Sequence, residues 1–179
     1  AIYHRGPDED GFLYEKGLAL ASRRLSMVGL ADGQQPIYNE DRSIAVVFNG
    51  ELFDFPEKRK ELEAKGHTFR TSCDTEILVH MWEEYGEDML LRLRGQYAFA
   101  LSDSNLRQLM LVRDRIGIVP LHWARRDDWI YFNSEIKGIL ASGKVAAEPD
   151  PRGLDHIFTF FAMPTKRTCF KDVSAILPG

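Results

Sequence analysis

The chain has 179 residues, 44% hydrophobic and 28% charged, enough to bury roughly 70% of its unfolded surface and to fold, by default, as one domain. A net charge of -4 offers no electrostatic footprint for nucleic acid or an anionic membrane, and no apolar run approaches the roughly 20 residues of a membrane span. Nor does the N-terminus carry a charged-then-apolar signal pattern, so a small ligand is the expected partner and the cytoplasm the expected compartment.

In chain order, Gly17 to Arg23 alternates Leu18, Leu20 and Ser22 with Ala19 and Ala21, the pattern of a strand. Ile44 to Phe48 is continuously apolar and reads as a strand buried on both faces. Asn49-Gly50 then marks its end and the start of a turn. Pro56 to Lys65 is expected as a helix, with Pro56 in the first turn and Gly66 as its left-handed stop. A second helix starts at Asp74 or Thr75, whose oxygens can cap it, and carries Ile77, Leu78, Met81, Trp82 and Tyr85 at helical spacing up to Gly86.

A short helical stretch follows around Met89 to Leu93. Gln96 to Leu101 and Arg107 to Val112 flank Asp103-Ser104-Asn105 as a hairpin, and Leu121 to Ala124 with Trp129 to Phe132 flank Arg125 to Asp128 as another. Ser134 is expected to cap a helix holding Ile136, Ile139 and Leu140. Asp150-Pro151 starts one with Leu154, Ile157, Phe158 and Phe161 on one face. Hairpins between helices predict an α+β layered fold. The chain opens on Ala1-Ile2-Tyr3 and stops on the loop residues Ile176 to Gly179, so a fragment of a longer protein is expected.

Cys73 and Cys169 lie far apart and suggest neither a disulfide framework nor zinc. The five histidines never fall at the i, i+4 spacing of two ligands on one helix face, so no metal is assigned. Other residues suit a ligand. Asn49 offers an amide donor, and Gly50 lets the backbone approach closely, a pairing able to stabilise an oxyanion; the same dipeptide is far more often a plain turn. Arg24 has the fork that matches a carboxylate, and Asp74 and Glu51 can hold an ammonium. Taken singly, Asp74 as a helix cap and Arg24 as a surface charge are the commoner uses.

The motifs His4-Arg5-Gly6-Pro7-Asp8 with Gly11, Arg23-Arg24-Leu25-Ser26, Gly33-Gln34-Gln35-Pro36, Asn49-Gly50-Glu51, Asp74-Thr75-Glu76, Gly95 to Ala100, Arg113-Asp114-Arg115-Ile116-Gly117 and Ser134-Glu135 follow one another along nearly the whole chain. In this order they resemble the glutaminase domain of glutamine-hydrolysing asparagine synthetases. The resemblance implies an N-terminal-nucleophile hydrolase fold, a four-layer αββα sandwich of antiparallel sheets. It implies an N-terminal Cys that attacks the glutamine side-chain amide while its own α-amine, with a pKa near 8, takes the thiol proton. It implies Arg24 on the glutamine carboxylate, the backbone from Leu25 through Ser26 and Met27 to Val28 along the site, Glu51 and Asp74 on the amino group, and Asn49 with Gly50 as the oxyanion hole.

The nucleophilic Cys of that pattern is not among these residues. Cys73 stands where the family usually has Ser, and Cys169 lies in a C-terminal loop; neither has a free amine beside it. Ser22, Phe53, Asp54 and Val119 replace the family's usual His, Tyr, Asn and Lys. The pyrophosphate-binding loop of the synthetase domain is also absent, so no cofactor is expected here, whereas ATP, Mg and aspartate belong to that other domain. Related amidotransferases with another ammonia acceptor, and a non-catalytic glutamine-binding scaffold, are alternative readings. A strand missing from a sheet leaves an edge that pairs with a second copy, which makes a homodimer an expectation.

Overall fold

The computed structural model describes residues 1–25 and 32–179. These form two units, residues 3–111 and residues 112–179 with the first two residues.

In the first unit, strands β1 (Glu9–Glu15) and β2 (Leu18–Arg24) make an antiparallel hairpin around Lys16-Gly17, where Gly17 takes a φ of 84° that only glycine adopts readily. Register places Glu9 opposite Arg24 and Asp10 opposite Arg23. Both pairs close as ion pairs, at 2.9 and 3.1 Å. A four-stranded sheet follows, ordered β3 (Ile37–Tyr38), β4 (Ile44–Leu52), β5 (Gly95–Asp103) and β6 (Gln108–Arg113).

Helix α1 (Phe55–Ala64) starts with Pro56 in its first turn. It stops where Gly66, at φ 101°, donates to Glu63 O and His67 donates to Leu62 O, the paired bonds that satisfy a helix's last carbonyls. Helix α2 (Glu76–Tyr85) is buried on every side from Glu76 to Trp82 and lies against α1, β3 and β4. Val46, Leu62, Ile77, Leu78, Met81, Met89, Phe99 and Leu101 form this unit's core, none more than 2% exposed. The Trp82 indole reaches through it to donate to Asp103 Oδ2 at 2.8 Å.

The second unit holds a three-stranded antiparallel sheet ordered β8 (Trp129–Asn133), β7 (His122–Arg126) and β9 (Val173–Ala175). Ala124, Ile139, Val145 and Val173 close its core under the short helix α3 (Ile136–Leu140). Helix α4 (Pro151–Phe160) is capped as expected, the Asp150 carboxylate accepting from the Arg152 N–H at 3.1 Å. Among the described residues no helix is long and apolar enough to cross a membrane.

Five local expectations change. The Asn49-Gly50 turn is absent, because β4 continues through Glu51 to Leu52, paired residue for residue with β5. Neither Asp74 nor Thr75 caps α2 with its side chain; Glu76 instead accepts from the N–H groups of Arg70 and Thr71, at 2.8 and 2.7 Å, and closes the preceding loop. The cap position of α3 belongs to Glu135 rather than Ser134, and no side chain caps it. The stretch after α2 is a 3-10 helix, Gly86–Leu91. The expected apolar face of α4 is formed but not covered, with Phe158 79% and Phe161 93% exposed.

Candidate active site

Strand β4 presents Asn49 and Glu51 on one face, since alternate residues of a strand share a side, and Gly50 between them. Pairing brings Gly50 opposite Tyr97. Gly50 has a φ of 145°, and a Cβ there would stand 2.1 Å from Gln96 O and 2.7 Å from Tyr97 Cα. The close approach that requires glycine is therefore to the neighbouring strand. The Asn49 Nδ2 is buried and, among the described residues, has no hydrogen-bond partner. An unpaired buried amide donor is costly unless something accepts from it.

Asp74 is drawn to the end of the same strand. Its Oδ2 accepts from the Leu52 N–H at 3.0 Å, and the residue is 5% exposed. The loop before α2 and the end of β4 are thereby tied together one residue past Glu51. Cys73, beside it, has a buried thiol whose Sγ lies 3.3 Å from Thr75 Oγ1 and 3.5 Å from Asp74 Oδ1. Burial pushes the Cys73 thiol up from its ordinary value, and the neighbouring Asp74 charge adds to this. Such a thiol holds its proton at neutral pH and is a poor nucleophile.

Arg24 ends β2 with its guanidinium on Glu9 Oε2, and the residue is only 9% exposed. It is a buried, oriented charge rather than a surface one. The Gln35 side chain joins its strand to β4. Gln35 Oε1 accepts from Ser22 Oγ at 3.3 Å and from the Phe48 N–H at 2.7 Å, while Gln35 Nε2 donates to Phe48 O at 3.0 Å. Gly11 is required at the same junction, since a Cβ there would meet Gln35 O at 1.6 Å. Asp32, three residues before Gln35, accepts from the Ser72 N–H and hydroxyl, at 2.8 and 3.0 Å.

Asn49, Gly50, Glu51 and Asp74 are thus brought together at one end of β4, and Arg24 is tied to that strand indirectly. Leu25 is 54% exposed. Ser26, Met27 and Val28 lie outside the described residues. Gln35, Asp32 and Ser72 had no role in the sequence reading. Gln35 stood inside a recognised motif, but its partner Phe48 is legible only once β2 and β4 meet.

The whole chain, residues 1–179, matches the family model described as a glutamine amidotransferase domain. The chain belongs to this family. Asparagine synthetase [glutamine-hydrolyzing] 1 of Bacillus subtilis (strain 168) is 37% identical over 178 residues, 99% of this chain and 28% of that protein. Asparagine synthetase [glutamine-hydrolyzing] of Sandersonia aurantiaca is 42% identical over 140 residues, 77% of this chain and 26% of that protein. The chain therefore spans little more than a quarter of the length of these two relatives.

Among solved structures, the glutamine phosphoribosylpyrophosphate amidotransferase from B. subtilis complexed with ADP and GMP aligns with a TM-score of 0.55 at 26% identity, over 66% of this chain and 28% of that one. A structure described as the allosteric regulatory enzyme of purine biosynthesis aligns with a TM-score of 0.59 at 26% identity, over 70% of this chain and 29% of that one. Antiparallel sheets with helices, in the α+β class, are the N-terminal-nucleophile amidotransferase architecture of this family.

The family's motif residues also organise the second unit. Asp114 Oδ1 accepts from the N–H groups of Ile116, Gly117 and Ile118 at 3.1, 2.7 and 3.0 Å, and Oδ2 from Val119 at 3.0 Å. Burial alone would raise this carboxyl, but the four N–H groups outweigh it and hold it below its ordinary value. Arg113 fastens the same loop, donating to Val119 O at 2.8 Å and Ile176 O at 2.9 Å. The Arg113 to Gly117 motif is a loop clamp.

Proposed function

We propose that this domain is the glutamine-hydrolysing part of an asparagine synthetase. Glutamine lies with its α-carboxylate on Arg24, along the backbone of Leu25 to Val28, and with its ammonium on Glu51 and Asp74. Its side-chain carbonyl faces Asn49 Nδ2 and the Gly50 N–H. The observation that carries this reading is the buried Asn49 amide without a partner among the described residues, one position along β4 from Gly50 and beside the Asp74 tether. Glu9 Oε2 accepts from Arg24 at 2.9 Å and so orients the guanidinium at the end of β2.

Chemistry in the parent protein starts from the thiolate of an N-terminal Cys. It attacks the amide carbon, the carbonyl oxygen becomes the oxyanion held by Asn49 and Gly50, and the leaving nitrogen takes a proton from the α-ammonium to depart as ammonia. Water then hydrolyses the thioester to glutamate. Loss of one oxyanion donor raises such a barrier by about 2.7–4 kcal/mol. The ammonia amidates ATP-activated aspartate in a separate synthetase domain, which is where ATP and Mg bind. Neither Cys73, buried and protonated, nor Cys169 replaces the nucleophile.

Calorimetry with glutamine tests the pocket. The 179-residue chain binds glutamine, and Arg24→Ala weakens binding roughly 10–100-fold, the loss expected for one charge-assisted contact. Equal heats in both proteins refute the assignment. The chain as it stands releases no glutamate from glutamine, and robust release would overturn the account of the nucleophile.

A further inference from the structure

Two histidines and two glutamates from three separate segments converge beside α2. His80 and Glu83 lie one turn apart on the helix, His67 follows the end of α1, and Glu40 follows β3. Glu83 Oε2 lies 3.0 Å from His80 Nδ1 and 3.6 Å from His67 Nδ1, and Glu40 Oε2 lies 3.8 Å from His80 Nδ1. One ligand atom from each of Glu40, His67 and His80 falls within 4.8 Å of the others. Donors at 2.0–2.1 Å from a tetrahedral zinc stand roughly 3.3–3.4 Å from one another. The observed spacings bracket that figure.

Three surrounding contacts make this a built site rather than a chance cluster. Glu83 has its other oxygen held by Asn39 Nδ2 at 2.8 Å, which leaves Oε2 turned towards both histidines. Glu40 has its other oxygen on the Thr68 N–H at 3.3 Å, which leaves Oε2 turned inward. His80 is 1% exposed, and its far nitrogen, Nε2, is buried and, among the described residues, has no hydrogen-bond partner; it lies 3.8 Å from Glu76 Oε1. Glu76 is itself fixed by three donors from Arg70 and Thr71. A carboxylate behind the second nitrogen of a ligating imidazole is the arrangement that sets its tautomer in zinc proteins.

We infer that Glu40, His67, His80 and Glu83 form a structural zinc site. Two imidazole nitrogens and two carboxylate oxygens supply four protein donors with no open position, the closed set of a structural rather than a catalytic ion. His80 binds through Nδ1 and turns its Nε2–H to Glu76. The ion joins the loop after β3, the end of α1 and the body of α2. It thereby stiffens the helix whose preceding loop carries Asp74.

Metal-stripped protein titrated with zinc against a chromogenic chelator is expected to bind one equivalent, and to melt about 5–10 °C higher at zinc 100-fold above its dissociation constant. His67→Ala and Glu40→Gln, both outside the deepest core, are expected to weaken zinc at least tenfold while leaving the far-ultraviolet spectrum of the metal-free protein unchanged. Cobalt in place of zinc is expected to give the intense visible bands of a tetrahedral ion, lost in His67→Ala. Stoichiometry below a tenth of an equivalent, six-coordinate cobalt spectra, or zinc affinity unchanged in both variants would overturn the site. The last outcome assigns any bound zinc to other side chains.

Discussion

Replacing Gly50 by Ala measures how tightly β4 and β5 are apposed. The new methyl would stand 2.1 Å from Gln96 O and 2.7 Å from Tyr97 Cα, both backbone atoms of the paired strand. Ordinary contact needs at least about 3.4 Å, so the strands must part by roughly an ångström or more at this rung. Tyr97 is 3% exposed and Ala98 is 4% exposed, so separation disturbs the packed interior as well as the ladder. Overpacking costs roughly 1–3 kcal/mol, and an alanine held at φ 145° adds about 1–3 kcal/mol more. Together these amount to about 4 kcal/mol, or roughly 8–16 °C in melting temperature for a chain of this length.

Gly66→Ala is the matched control. Its φ is 101°, but nothing lies within 4 Å of the added methyl. It therefore carries only the backbone term, roughly 1–2 kcal/mol. Thermal and urea unfolding followed by far-ultraviolet circular dichroism give both values. If Gly50→Ala costs no more than Gly66→Ala, the strand-contact reasoning is wrong and glycine at 50 is kept for its φ alone.

Asp114→Asn keeps one carbonyl oxygen but turns an NH2 towards an N–H that needs an acceptor, so a loss of roughly 2–3 kcal/mol at pH 7 is expected from urea midpoints. Because the folded carboxyl lies below its ordinary 3.8, its contribution is fully present above that value and disappears as pH falls through the folded pKa. The gap between parent and variant should close on acidification from pH 5 towards pH 2; a gap constant across that range would refute the clamp. Trp82→Phe strands the buried Asp103 Oδ2 without its 2.8 Å donor, with an expected cost of about 2 kcal/mol by chemical denaturation. A change under 0.5 kcal/mol would show that the bond contributes little.

Much of this protein was legible in the linear chain because its signals are local. Proline in the first turn and glycine at the end of α1, the two hairpins and the Asp150-Pro151 start of α4 each depend on a few adjacent residues, and all are found. The family was legible for a related reason: its motifs occur in a fixed order, and their order does not depend on knowing how they meet. Hairpin β1–β2 was half missed, since Glu9 to Glu15 alternates weakly and is stabilised by partners that only pairing supplies.

Long-range pairing decided the rest. Asn49-Gly50 reads locally as a turn, yet β5, some 45 residues later in the chain, lies in register against every residue through Leu52, and the strand continues. Asp74 looks like a helix cap, yet the Leu52 N–H claims its carboxylate. His67 and His80 are separated by a distance in sequence that matches no metal motif, and only the packing of α1 against α2 brings them face to face with Glu83. The amino-acid order determined the family and the local elements, because capping, turn chemistry and motif order act over a few residues. Tertiary structure decided which polar groups meet, because a buried donor or acceptor must find its partner wherever the fold brings one.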